Sequence, residues 1–207
     1  MDVTIIGAGN MGRGIGTRVV AGKHALTILD KDGGKAEQLA KELGGAIGGA
    51  LLNTIKGDIV IFALPYAAIP AVIKEQSEQL AGKILVDISN PVDFKTFELI
   101  PPPGSSGAEE IAESLPPNAT LVKAFNTTFA GTLVKGDVDG KKLDVYCASD
   151  SAEAGEAVAR LAADGGLRGL YVGPLKHARA LEGFQLLQMT LQEKLGTNWM
   201  SAIKILP

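Results

Sequence analysis

The chain has one cysteine, Cys147, and only two histidines, His24 and His177. A single cysteine excludes an internal disulfide framework and fits a reducing compartment. It stands inside the apolar run 143–148, where a thiol packs as a small buried hydrophobe rather than acting as a nucleophile. These three residues offer no zinc spacing, and both histidines read as surface or capping residues. Gly104-Ser105-Ser106-Gly107 resembles a nucleophile turn only loosely, because no buried strand runs into it. A basic excess is also missing. The formal net charge is −3, and the lysines and arginines are scattered, so no stripe follows a phosphate backbone and nucleic acid is not an expected partner. No apolar stretch approaches the roughly 20 residues of a membrane span. The first strand is expected to begin at Asp2, so no secretory signal is expected ahead of it. A cytoplasmic protein without membrane or metal partners is the expectation.

Apolar residues and glycine, by contrast, are plentiful: 46% of 207 residues are hydrophobic and 26 are glycine. That supports one full core with many tight turns between strands and helices. The most informative turn is Gly7-Ala8-Gly9-Asn10-Met11-Gly12. It follows the apolar run Val3-Thr4-Ile5-Ile6 and opens a helix ending near Gly22. Strand, glycine turn and helix together make a dinucleotide-binding fingerprint of a bare GxGxxG. Gly7 permits the tight turn, Gly9 lets the pyrophosphate approach the backbone, and Gly12 lets helix and strand pack closely. The helix N-terminus, with Asn10 and Met11, offers unpaired N–H groups to the phosphates. Asp30, about 20 residues further on at the end of the second apolar run (25–29), stands where a ribose-reading side chain belongs.

Strand and helix signals alternate along the whole chain. They predict an α/β fold of Rossmann type: a mostly parallel sheet, helices on both faces and a C-terminal helix. A helix is expected over 34–43, a weak third strand near 46–47, and a buried strand over 58–64 ending at Pro65. One helix follows, with Ala68, Val72 and Leu80 inward, then a strand over 83–88. Pro101-Pro102-Pro103-Gly104 forbids regular structure. Ser106 and Glu109 have capping-box spacing for a short helix to about Leu115. Strands follow over 120–125, 143–148 and 167–172, with an amphipathic helix over 150–163. In the last helix, 176–195, Leu181, Phe184, Leu187, Leu191 and Leu195 form the apolar stripe, with Gln185, Gln188 and Gln192 on another face. No linker divides the chain. A single dinucleotide-binding domain over 1–207 is expected, its segment 174–207 completing the substrate pocket or a homodimer interface.

Ligands of an open parallel sheet bind at the carboxyl ends of its strands. That selects the glycine turn, Asp30-Lys31, Leu64-Pro65, Ser89-Asn90-Pro91 and Phe125-Asn126-Thr127. Asn90, Asn126 and Thr127 are uncharged groups suited to a ribose hydroxyl or a carboxamide. No catalytic acid–base set accompanies them. Hydride transfer between two bound coenzymes needs positioning more than a protein acid or base, so it fits this composition better than hydrolysis does.

Four segments carry a closer resemblance: 5–12, Val86-Asp87-Ile88-Ser89-Asn90-Pro91, Val122-Lys123-Ala124-Phe125-Asn126-Thr127, and Gly173-Pro174-Leu175-Lys176-His177-Ala178-Arg179. Through them the chain resembles, over nearly its whole length, the deazaflavin (coenzyme F420)-dependent NADP reductases and their dinucleotide-binding relatives. The resemblance implies NADP as cofactor and F420 as co-substrate. It places Asn90, Pro91, Asn126 and Thr127 along the nicotinamide and deazaflavin side of the cleft, and the last helix in a dimer interface. One pair departs from the family pattern of a small residue followed by a basic one: here it is Asp30-Lys31. A carboxylate about 4 Å from a phosphate charge costs up to roughly 4 kcal/mol at an effective dielectric of 20. That favours NAD if Asp30 points inward, and Lys31 offsets it if Asp30 points away. Two further readings stay open: an NAD(P)H-dependent reductase of a small imine or carbonyl compound, similar to pyrroline-carboxylate reductases, and a non-enzymatic dinucleotide sensor.

Overall fold

The computed structural model describes residues 1–206. The chain opens with strand β1 (Asp2–Ile6), helix α1 (Asn10–Ala21), β2 (Ala25–Asp30), α2 (Gly33–Leu43), β3 (Ala46–Ala50) and β4 (Ile59–Phe62). After Pro65 a 3-10 turn (Tyr66–Ala68) leads into α3 (Ile69–Glu75), α4 (Ser77–Leu80) and β5 (Ile84–Asp87). The proline-rich stretch holds a small hairpin, β6 (Val92–Asp93) with β7 (Glu98–Leu99), and then α5 (Gly107–Ala112). Next come β8 (Thr120–Lys123), α6 (Ala130–Lys135), a second hairpin of β9 (Asp137–Val138) and β10 (Lys141–Lys142), and β11 (Asp144–Ala148). The chain closes with α7 (Ala152–Asp164), β12 (Arg168–Gly173), a 3-10 turn (Leu175–His177), α8 (Ala178–Leu195) and an extended tail.

Eight strands form one sheet in the order β12-β11-β8-β5-β4-β1-β2-β3. From β3 to β8 every pairing is parallel. β11 meets β8 antiparallel, at Ala148 and Lys123, and β12 runs parallel to β11. Side chains alternate between the two faces. Ile5, Ile28, Ile61 and Val86 pack with α1, α2, α6 and α7, whereas Ile6, Leu29, Val60 and Leu85 pack with α3, α4 and α5. Both faces are covered, which is why the central strands read as unbroken apolar runs. The chain steps outward from β1 to β3 and then returns to β4 on the other side of β1. This reversal opens a crevice at the carboxyl ends of β1 and β4, where the glycine turn lies. No helix among the described residues is long and apolar enough to cross a membrane.

Several local expectations need correction. The weak third strand is a full five residues, because Gly48 lets α2 approach: a Cβ there would stand 2.4 Å from the Ala36 carbonyl oxygen. The single helix after Pro65 is divided at Gln76, and α5 stops at Ala112. The hairpin at Asp139-Gly140, both at positive φ, was legible as a two-residue turn but is absent from the predicted elements. In α8 the glutamine face is the buried one: Gln185, Gln188 and Gln192 are interior, while Phe184, Leu187 and Leu195 are exposed and only Leu181 of the stripe is in the core.

Candidate dinucleotide cleft

The three fingerprint glycines serve different ends. Gly7 sits at φ +115, and a Cβ on it would lie 2.3 Å from the Ala63 carbonyl oxygen. On Gly12 a Cβ would lie 2.1 Å from the Gly7 carbonyl oxygen. Both are demanded by the packing of β1, α1 and β4. Gly9 is not: its φ is −82, and a Cβ would meet nothing within 4 Å. The open space above Gly9 lies at the N-terminus of the 12-residue α1, which has no side-chain cap and no acidic residue in its first turn. Free N–H groups and a cradle that a Cβ would fill suit a pyrophosphate.

Two cavities adjoin this turn and share Gly9, Ala63, Leu64 and Pro65. One, of about 500 Å³, reaches Asp30, Lys31, Leu51 and Glu75 beside β2. Its position suits the adenosine half of a dinucleotide. The Asp30 carboxylate is held at both oxygens, by the Ala8 N–H at 2.8 Å and the Asp32 N–H at 2.9 Å, so it is clasped to the glycine turn. Lys31 is exposed at the rim. The other cavity, of about 530 Å³, runs past Asn10 and Met11 to Tyr66, the Ser89-Asn90-Pro91 turn and Met189 of α8. Beyond Met189 lies a further hollow of about 550 Å³, between Phe97, Trp199 and the end of α8. Tyr66 donates its phenolic proton to Glu110; burial and that carboxylate push its pKa well above the usual value.

Asn90 lines the second cavity, but Asn126 and Thr127 lie behind it, almost wholly buried. Phe125, at φ +60, turns the chain after β8 so that Asn126 faces Asn90. The two asparagines exchange hydrogen bonds: Asn90 Nδ2 donates to the Asn126 carbonyl at 3.1 Å, and Asn126 Nδ2 to Asn90 Oδ1 at 3.0 Å. Asn126 Nδ2 also reaches the Leu181 carbonyl at 3.1 Å. Ser89 Oγ, Asn126 Oδ1 and Thr127 Oγ1 are buried without partners. Buried polar atoms seldom stay unpaired, and those at a ligand edge are completed by the ligand or by water.

Beneath this turn is a group that reading along the sequence missed. Lys123 and Asp87, paired across β8 and β5, are completely buried, together with Glu182 of α8. Burial opposes the charge on Lys123, but the two carboxylates outweigh it and hold the ammonium above its ordinary pKa. The available signal was a charged residue at the end of each of two apolar runs. The other titratable singletons lie elsewhere. His24 bridges the Met1 amine and Asp164, and the His177 ring meets the Val172 carbonyl. Cys147 is buried, which pushes its thiol up to about 12. Among the described residues no His, Cys, Asp and Glu cluster could hold a metal.

With this geometry in view, residues 2–91 match the family described as NADP oxidoreductase, coenzyme F420-dependent. The chain is 29% identical over 212 residues to the F420-dependent NADP reductase of Methanocaldococcus jannaschii, covering 94% of this chain and 93% of that protein. It is 31% identical over 184 residues to the metalloreductase STEAP3 of Rattus norvegicus, covering 89% of this chain; it spans only 36% of that longer relative. A solved structure from Arthrobacter sp. FB24, provisionally described as an F420-dependent NADP reductase, superposes over 100% of both chains with TM-score 0.87 and 28% identity. The imine reductase BcSIRED of Bacillus cereus, at 20% identity and TM-score 0.64 over 96% of this chain and 63% of its own, shares the fold.

Proposed function

We propose that this chain, whose residues 2–91 match the F420-dependent NADP oxidoreductase family, is an oxidoreductase that moves hydride between NADP(H) and a deazaflavin coenzyme of the F420 type. The observation that carries the reading is the pair of cavities meeting at Gly9, the one fingerprint glycine the fold itself does not require. In this arrangement Gly7 to Gly12 and the start of α1 hold the pyrophosphate, and Asp30 and Lys31 meet the adenosine ribose. Leu64 and Pro65 wall the middle of the cleft, and Asn90 and Pro91 support the nicotinamide, with Asn126 and Thr127 holding Asn90 from behind. The second ring takes the side toward Met189. Bound nicotinamide supplies the hydride; the residues supply alignment and exclude water. The nearest phenol, on Tyr66, is committed to Glu110, so the proton that completes reduction comes from solvent.

Stopped-flow absorbance of the protein with NADPH and oxidised F420 tests this. Bleaching of the deazaflavin is expected, with little turnover of ketones or 2-hydroxy acids. Asn126→Ala should slow turnover about tenfold while altering nicotinamide affinity less, because misaligned rings lose their near-attack geometry. No transfer to the deazaflavin, beside measurable reduction of an imine, would establish the imine-reductase reading instead. Cofactor binding with neither activity would point to a sensor. The chain further acts, in this proposal, as a homodimer through the exposed face of α8.

A further inference from the structure

We infer that Lys123 is a positioning residue whose ammonium sets the distance between helix α8 and the Ser89-Asn90-Pro91 turn, and so the spacing of the two rings between them. Its Nζ has three hydrogens and three partners: Asp87 Oδ2 at 2.7 Å, the Ser89 carbonyl at 2.7 Å and Glu182 Oε1 at 2.8 Å. Each partner is fixed in turn. Asp87 Oδ1 accepts the Ser89 N–H at 2.8 Å, so Ser89 is gripped at both its amide and its carbonyl. Glu182 accepts the Gly107 and Ala108 N–H groups at 3.0 and 3.2 Å, which ties α8 to the start of α5. One residue before Glu182, the Leu181 carbonyl is held by Asn126, whose amide also grips Asn90. The turn that lines the cavity and the helix that carries Met189 into it are thus joined through the buried Lys123 ammonium, with Asn126 as a second tie beside it.

Stability alone does not account for this construction. A buried ion cluster is weak evidence for stability, because apolar side chains of the same volume commonly serve as well or better. Apolar packing cannot, however, fix a direction. Three charge-assisted bonds at 2.7–2.8 Å leave the ammonium one position, and hydride transfer between stacked rings is sensitive to displacements of about 1 Å. The inference rests on the function proposed above for its kinetic consequence, but not for its structural one.

Two variants test it: Glu182→Gln, and the neutral set Lys123→Met with Asp87→Asn and Glu182→Gln. The neutral set leaves no unpaired buried charge and so keeps the fold accessible. Single-turnover hydride transfer should fall about tenfold or more in both, while the calorimetric Kd for NADPH changes less than about twofold, since Gly9 and Asp30 are untouched. Amide hydrogen exchange should accelerate at Ser89, Gly107 and Ala108 and stay unchanged in β1, β4 and α1. A lowered Tm with an unchanged transfer rate per folded molecule would overturn the inference. So would exchange that accelerates equally throughout the sheet. If the wild-type protein moves no hydride to the deazaflavin, the proposed function fails, and the exchange pattern alone decides the case for Lys123.

Discussion

A glycine required by the fold and one required by a ligand can be told apart by what a Cβ would meet. At Gly7 and Gly12 it would strike backbone oxygens, so substitution there attacks the fold. At Gly9 it would enter empty space at the head of α1. Gly9→Val should therefore keep the wild-type melting temperature within a few degrees and raise the Kd for the nicotinamide cofactor about tenfold or more. Unchanged affinity by calorimetry would remove the dinucleotide from this turn. Asp30 and Lys31 line the other end of the cleft. Both Asp30 oxygens are occupied by backbone amides, which places a fixed negative charge where a 2′-phosphate would arrive. Asp30→Ser should improve NADPH relative to NADH, and Lys31→Ala should weaken NADPH selectively. Equal shifts for both cofactors would show that neither side chain reads the ribose.

At the scale of elements, α8 and the tail behind it show how a polar side can become the inner one. Gln192 Nε2 bonds the Gln188 carbonyl and Ser201 Oγ, and its Oε1 accepts from Thr197. Gln188 Nε2 also bonds Ser201 Oγ, so two of the three buried amides find partners in a segment that doubles back over the helix. Further along, the tail is clamped to β11 and β12. Asp144, buried, accepts from Arg168 Nε at 2.8 Å, Lys204 Nζ at 2.6 Å and the Ile205 N–H at 3.2 Å. Burial pushes the Asp144 carboxyl up, but these bonds outweigh it and hold its pKa below the ordinary 3.8. A depressed carboxylate contributes stability above the ordinary value and loses it as pH falls through the lowered one. Asp144→Asn should thus melt earlier than wild type at pH 7, and the gap should close below about pH 4. A gap that stays constant down to pH 2 would show that the clamp is not ionic.

For the whole molecule, the exposed side of α8 is the feature left without a partner. Phe184 is 48% exposed, Leu187 58% and Leu195 62%, on one 18-residue helix. Two copies of such a face can pair about a twofold axis, burying the same residues on each. Sedimentation should show a dimer at micromolar concentration, and Phe184→Ser with Leu187→Ser should shift it to monomer. A wild-type monomer under those conditions would refute the assignment.

Much of this protein was determined by local pattern. The glycine turn, the 20-residue step to Asp30 and the alternation of apolar runs specify strand, turn and helix through short-range sterics and hydrogen bonding, and these place the crevice at the head of β1. Leu64, Pro65, Asn90 and Pro91, selected by the rule that ligands sit at strand ends, line one cavity. Partnership was decided only in three dimensions. Nothing along the chain joins Lys123 to a glutamate 59 positions later; β8, β5 and α8 had first to pack for the ammonium to find both carboxylates. The same holds for α8, whose leucines and glutamines mark two sides along the chain but whose inner side is decided only where Gln188 and Gln192 meet Ser201 and Thr197. Apolar periodicity shows that a helix has two sides. Which side is buried depends on the hydrogen-bonding capacity of whatever packs against it, a property of the assembled fold.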